Sequence, residues 1–174
     1  MSTIVADTDG LTKLGKSGAL SALLSVAKVL VPGAVWEEAV EEGKRGMHED
    51  AHVLEGMLLA ESGGAEVVEV EPGLEVAGAF GAGEAAALAA FRQYGADAIL
   101  TDDRAFLGLL AGSEPPVPAL VPTAAIVALA ESGHLTVGGA REALDRIKPS
   151  VRVDAFRAAM GGLEEMDNAK EPKR

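Results

Sequence analysis

Acidic side chains are the groups in this chain whose types and spacing could do chemistry. Glu84 and Asp102 bound most of the stretch GEAAALAAFRQYGADAILTDD at 83–103. The pattern predicts a helix from Glu84 to about Tyr94, stopped by Gly95. That helix travels roughly 16 Å one way. Ala98 to Thr101 is a short apolar run, read as a buried strand that travels roughly 13 Å back. The two acids therefore return to one edge of the fold. Asp7 ends a second apolar run, Thr3 to Ala6. Glu38 lies about one and a half turns into a helix begun at Pro32, within reach of the same rim. Four carboxylates brought together repel and raise one another's pKa, and hard divalent cations relieve that. Mg2+ or Mn2+ suits such an all-oxygen set, and an ion held there activates water and stabilises in-line displacement at a phosphodiester. Each acid alone also has an ordinary reading: Glu84 as a helix-dipole partner, Asp102 as a helix cap, Glu37 or Glu38 as part of a solvated face.

The elements that must position these acids follow from periodicity. Leu11 to Leu14 and Ala19 to Ala27 read as two helical pieces broken around Gly15 to Gly18. Lys28 to Val31 is a second strand, and a helix runs from Pro32 to Lys44-Arg45-Gly46. A further helix is expected from Glu49 to Glu61, then a strand toward a sheet edge from Glu66 to Glu71 and a Gly-rich loop from Pro72 to Gly83. After the 83–103 unit come a helix from Asp103 to Leu110, a loop from Gly112 to Pro118, a last strand from Ala119 to Val121 and a helix from Pro122-Thr123 to Glu131. His134 reads as a helix-end residue. Amphipathic helices are expected over Gly138 to Ile147 and Val153 to Met166, with Asp167 to Arg174 a disordered charged tail. Strands alternating with helices predict a three-layer α/β/α sandwich on a parallel sheet, whose sites lie at the carboxyl ends of the strands.

Composition narrows the function. The chain has 174 residues, 48% of them hydrophobic, enough for one domain with a real core. It has no cysteine, which excludes disulfides and thiolate metal sites and fits a cytoplasmic protein. No signal peptide and no membrane span are expected. The formal charge is −12, and residues 1–87 carry 15 Asp/Glu against 5 Lys/Arg. Such a surface does not advertise nucleic-acid binding: either the substrate is not nucleic acid, or metal ions and a local basic patch do that work, and an acidic proteome would give the same bias. Aromatics at 3% exclude a base-stacking platform. Lys13, Lys16 and Arg104 are the cations nearest the acid-bearing strand ends, equally readable as solvated charges.

The ordered set resembles the PIN-domain family over residues 3 to 147. The matching features are the strand ending in Asp7-Thr8, LTKLGKSGAL at 11–20, VPGAVWEEAV at 31–40 and GEAAALAAFRQYGADAILTDDRAF at 83–106. The resemblance puts the family's four acids on Asp7, Glu38, Glu84 and Asp102, with Asp103 as support. It implies a Mg2+- or Mn2+-dependent ribonuclease leaving 5′-phosphate and 3′-hydroxyl ends, commonly the toxin of a toxin–antitoxin pair and a homodimer. On this reading residues 1–147 are the nuclease domain, 148–166 a helical extension and 167–174 a tail. Three departures stand out. The family usually has Ser or Thr where Asp9 stands, which adds negative charge beside the metal, its third acid is more often Asp than Glu, and the region after about Gly133 is longer here than in minimal members.

Three rival readings are weighed against this one. A degenerate domain would keep the fold and bind only a protein partner such as an antitoxin or another subunit. DTDG at 7–10 resembles the first motif of haloacid-dehalogenase-type phosphatases, with Asp7 as nucleophile and Asp9 as general acid, but that leaves VPGAVWEEAV and Glu84 without a use. HEDAH at 48–52 matches the zinc-protease pattern formally, yet it lacks a third ligand and reads as an exposed helix start.

Overall fold

The computed structural model describes residues 1–47, 49–60, 64–72 and 81–170. The chain opens with β1 (Ser2–Ala6), α1 (Thr8–Ser17), α2 (Leu20–Val26) and β2 (Ala27–Pro32). Helix α3 begins at Gly33–Trp36, passes through a π-helical stretch (Glu37–Glu42) and ends in a last turn (Gly43–Arg45). Then come α4 (Glu49–Leu58), β3 (Ala65–Val68), α5 (Ala82–Tyr94) and β4 (Ala98–Leu100). The chain continues with α6 (Arg104–Gly112), β5 (Ala119–Leu120), α7 (Pro122–Glu131), α8 (Val137–Ile147) and α9 (Val153–Lys170).

All five strands pair in parallel, in the order β3-β2-β1-β4-β5. Both faces are covered, and the alternation along the central strands shows it. Ile4 and Ala6 of β1, Val29 and Val31 of β2 and Leu100 of β4 belong to a large core with α1, α2, α4, α7, α8 and α9. Val5, Leu30 and Ile99 point the other way, into a smaller core with α5 and α6. The result is the expected α/β/α sandwich. From β1 the chain builds outward through β2 and β3, then returns to add β4 and β5 on the other side of β1. The carboxyl ends of β1 and β4 thus flank the point where strand order reverses, where sheets of this kind open a crevice.

Several boundaries differ from expectation. Helix α1 runs unbroken through Gly15, because only Gly18 takes the left-handed conformation (φ 80°) that ends it. A Cβ on Gly15 would lie 3.1 Å from Leu54 Cδ1, so that glycine serves close packing of α4 rather than a break. Strand β3 ends at Val68, short of the expected Glu71, and α4 ends at Leu58. Most of the expected Gly-rich loop, 73–80, lies outside the described residues. Asp167 to Lys170, expected in a disordered tail, continue α9, and Asp167 pairs with Arg141 of α8 at 2.6 Å. Residues 171–174 of that tail lie outside the described residues. Leu163 and Ala159 of α9 are buried in the large core, so this helix shares the interior built by α7 and α8.

Gly10 fixes how α1 leaves β1. A Cβ there would fall 2.5 Å from the Leu100 carbonyl oxygen and 2.9 Å from the Thr101 nitrogen, both rigid backbone. Gly10→Ala should therefore cost about 1–3 kcal/mol of stability by overpacking. Urea unfolding measures this, and an unchanged midpoint would show that α1 and β4 can separate without penalty.

Candidate active site

Asp7 follows β1 and caps α1. Its Oδ1 accepts from the Gly10 amide at 2.7 Å, and its Oδ2 accepts a short hydrogen bond from the Thr101 hydroxyl. The carboxylate is buried. Burial raises its pKa from 3.8 to about 6, against the lowering effect of those two hydrogen bonds, and the charges of Asp9 and Glu84 push it further up. Thr101 also accepts from the Asp103 amide at 3.2 Å, so one hydroxyl ties the end of β1 to the turn after β4.

Glu38 enters from α3. It sits in the π-helical stretch, where one extra residue in the turn re-aims side chains, a feature common at functional sites. Its Oε2 accepts from Thr8 Oγ1 at 2.6 Å, and its Oε1 accepts from the Gly83 amide at 3.2 Å. Glu38 thus joins the first turns of α1 and α5. Glu84 stands in the first turn of α5 and accepts from the Gly81 amide at 3.2 Å. Its pKa is raised by burial first, with the charges of Asp103 and Glu38 adding to that and the Gly81 amide opposing it. Asp103 caps α6 by accepting from the Phe106 amide at 2.7 Å.

Asp7, Glu38, Glu84 and Asp103, with Thr8, Asp9, Gly81 and Gly83, line one cavity of about 290 Å³. Asp102 does not line it. That side chain is buried, and its Oδ2 accepts from Lys13 Nζ at 2.8 Å, while its Oδ1 has no hydrogen-bond partner among the described residues. Lys13 also donates to Asp9 at 2.7 Å. Burial works against the ammonium charge, but the bonds to Asp102 and Asp9 outweigh it and hold the pKa above the usual lysine value. Lys13, a sequence candidate for holding a substrate, is thus turned inward. Lys16 pairs with Asp50 at 3.3 Å, and Arg104 is exposed on the first turn of α6.

The residues not foreseen as part of the site are Thr8, Thr101 and Gly83; Lys13 was foreseen beside it, but not its bond to Asp102. The spacing of four between Asp9 and Lys13 on one helix is the readable trace of that pair. The formal zinc motif gathers nothing here. Asp50 and His52 are exposed, and His48 lies outside the described residues.

The cavity carboxylates are near one another without being closed on a point. Among the described residues, no three His, Asp or Glu side chains form a ready ligand cluster. The donor set nevertheless fits a hard divalent ion. It is all oxygen, each acid keeps lone pairs beyond the bonds named above, and Mg2+ commonly binds through one or two carboxylates while keeping its own waters. The raised pKa of Asp7 marks a place where a cation would lower the energy of the charged form.

Asp7 also gives a pH dependence. The folded chain binds its proton more tightly than the unfolded chain does, so between about pH 4 and 6 stability falls as pH rises. Above pH 6 the ionised carboxylate costs the metal-free fold about 3 kcal/mol. Asp7→Asn keeps a cap for α1 and should raise stability in chelator at pH 8 by roughly 1–3 kcal/mol, a gain that vanishes near pH 4. Denaturant unfolding at the two pH values checks this, and a loss at pH 8 would contradict it.

Comparison with known proteins identifies the fold. The family model DUF3368, a PIN domain, matches residues 3–106, a span that reaches from β1 into α6 and holds all the acids described. Comparisons with curated proteins and with solved structures give no match. Among the described residues no helix is long and apolar enough to cross a membrane. The chain belongs to the PIN-domain family, whose fold is a nuclease fold.

Proposed function

We propose that this chain is a Mg2+- or Mn2+-dependent ribonuclease. The supporting observation is the cavity at the β1/β4 crevice, lined by Asp7, Glu38, Glu84 and Asp103 from four separate segments. Those acids would hold the ion, with Asp102 buried behind them and paired to Lys13. When bound, the ion would supply Lewis-acid activation of water and charge stabilisation at the scissile phosphate.

The chain's own residues do the rest. Asp7 is held by the Gly10 amide and the Thr101 hydroxyl. Glu38 is fixed by Thr8 and the Gly83 amide. Glu84 is half-buried, with a pKa above the ordinary glutamate value, which suits a group that accepts a proton from water. Arg104, exposed beside Asp103, is the cation best placed to meet an RNA phosphate. On this reading the chain is the nuclease of a toxin–antitoxin pair and works in the cytoplasm as a homodimer. A gene for a small DNA-binding protein next to its own would support the pairing.

A second reading is a degenerate, partner-binding module. One observation favours it: Lys13 already engages Asp102, an acid the family resemblance assigns to the metal. Purified protein with Mn2+ and RNA separates the two. The nuclease reading expects cleavage, reduced at least a hundredfold by Asp7→Asn or Glu84→Gln, and a rise in Tm with millimolar Mn2+. Cleavage that survives both variants sinks the site, and no Tm shift favours the module.

Gly83 gives a further test. A Cβ there would lie 2.7 Å from Glu38 Oε2 and 3.0 Å from Thr8 Oγ1. Gly83 lies in the first turn of α5, and the neighbour that must move is the end of the flexible Glu38 side chain. Gly83→Ala should therefore change stability by less than about 1 kcal/mol while displacing Glu38. Activity at least tenfold lower at unchanged Tm is the expected result, and wild-type activity would show that Glu38 need not be held.

A further inference from the structure

Two carboxylates, Asp9 on the cavity wall and Asp102 buried behind it, already share a cation that belongs to the chain. Lys13 Nζ lies 2.7 Å from Asp9 Oδ2 and 2.8 Å from Asp102 Oδ2. The Lys13 side chain is 13% exposed and that of Asp102 only 2%, so the Lys13–Asp102 contact is made largely out of water. A carboxylate buried there without a counter-charge would be costly. Asp102 Oδ1 has no hydrogen-bond partner, which leaves Lys13 as the one bonded answer to that charge among the described residues.

The placement follows from the fold. Asp9 and Lys13 are one turn apart on α1, and α1 lies against β4 because Gly10 lets its first turn meet the Leu100 carbonyl. The ammonium is thereby carried to the end of β4. Two-ion sites hold both ions in a clamp on the attacking and leaving oxygens, and each ion needs carboxylates of its own or shared between them. Here Asp9 and Asp102 are engaged with Lys13, and the acids of the cavity wall not engaged with it are Asp7, Glu38, Glu84 and Asp103.

We propose that the Lys13 ammonium is a resident counter-ion standing in the place of a second divalent ion, so that this site takes one divalent ion and Asp103, not Asp102, supplies the carboxylate from the β4 end. Lys13 is a positioning residue: it acts by holding Asp9 and Asp102. The inference rests on the metal-dependent reading above.

Mn2+ binding to the full chain tests it, with the number of ions counted by titration calorimetry and by the loss of the free-Mn2+ paramagnetic resonance signal. The wild type should bind one ion, Lys13→Arg one, and Lys13→Met two, because the two released carboxylates then recruit a cation from solution. Two ions in the wild type, or any number but two in Lys13→Met, overturns the proposal. A separate arm decides the matter if Lys13→Met does not fold. Asp103→Asn, which keeps the cap of α6, should weaken Mn2+ binding at least tenfold, and Asp102→Asn should change it less than threefold. The reverse order overturns the proposal. An absence of Mn2+ binding in the wild type instead overturns the metal-dependent reading and this inference with it.

Discussion

A Cβ on Gly10 would fall within 2.5 Å of the Leu100 carbonyl oxygen, and this closeness between the first turn of α1 and the end of β4 governs the site. The Asp7 amide donates to that same carbonyl at 3.0 Å. One residue further on, the Thr101 hydroxyl donates to the Asp7 carboxylate. The seam between β1 and β4 is therefore locked by backbone and side chain together, at the place where strand order reverses. Each catalytic candidate is positioned relative to this seam. Asp7 is part of it, Asp103 follows it, and Glu84 and Glu38 reach it from helices held by Gly81, Gly83 and Thr8.

The fold spends its hydrogen-bond donors on acids. Asp7 and Asp103 each cap a helix, and Glu38 and Glu84 each accept an amide from the start of α5. Helix N-termini supply both the donors and a favourable dipole, which is how several carboxylates can be kept close in one crevice. The compensation is incomplete: Asp7 and Glu84 still hold their protons more tightly than isolated carboxyls. An environment that keeps charge in place at a cost is what a cation-binding site provides before its ion arrives.

Negative charge is also managed from within. The acid at position 9 is met by Lys13 four residues on, and the same ammonium meets Asp102 from the far side of the seam. Asp102 and Asp103 are adjacent in the chain, yet one is buried against a lysine and the other lines the cavity and caps a helix. The turn after β4 sends successive side chains in different directions, and which of them meets the crevice follows from how α6 departs.

The strands, their parallel sense and most helices were legible in the sequence because each is written locally. Short apolar or alternating runs of two to six residues make the strands, Gly95 and Gly18 stop helices in the left-handed conformation, and Pro122 starts one. The return of Glu84 and Asp102 to one edge followed from element lengths alone. The π-helical stretch that aims Glu38, the continuity of α1 through Gly15 and the helical start of the tail were not legible, since each depends on packing against a distant partner. The sequence by itself determined that acids would gather at the carboxyl ends of β1 and β4, because spacing and periodicity fix how far each segment travels. Only the tertiary structure decided that Asp103 lines the cavity while Asp102 turns to Lys13, because side-chain direction and the pairing of charges 89 residues apart depend on contacts across the seam that no local pattern encodes.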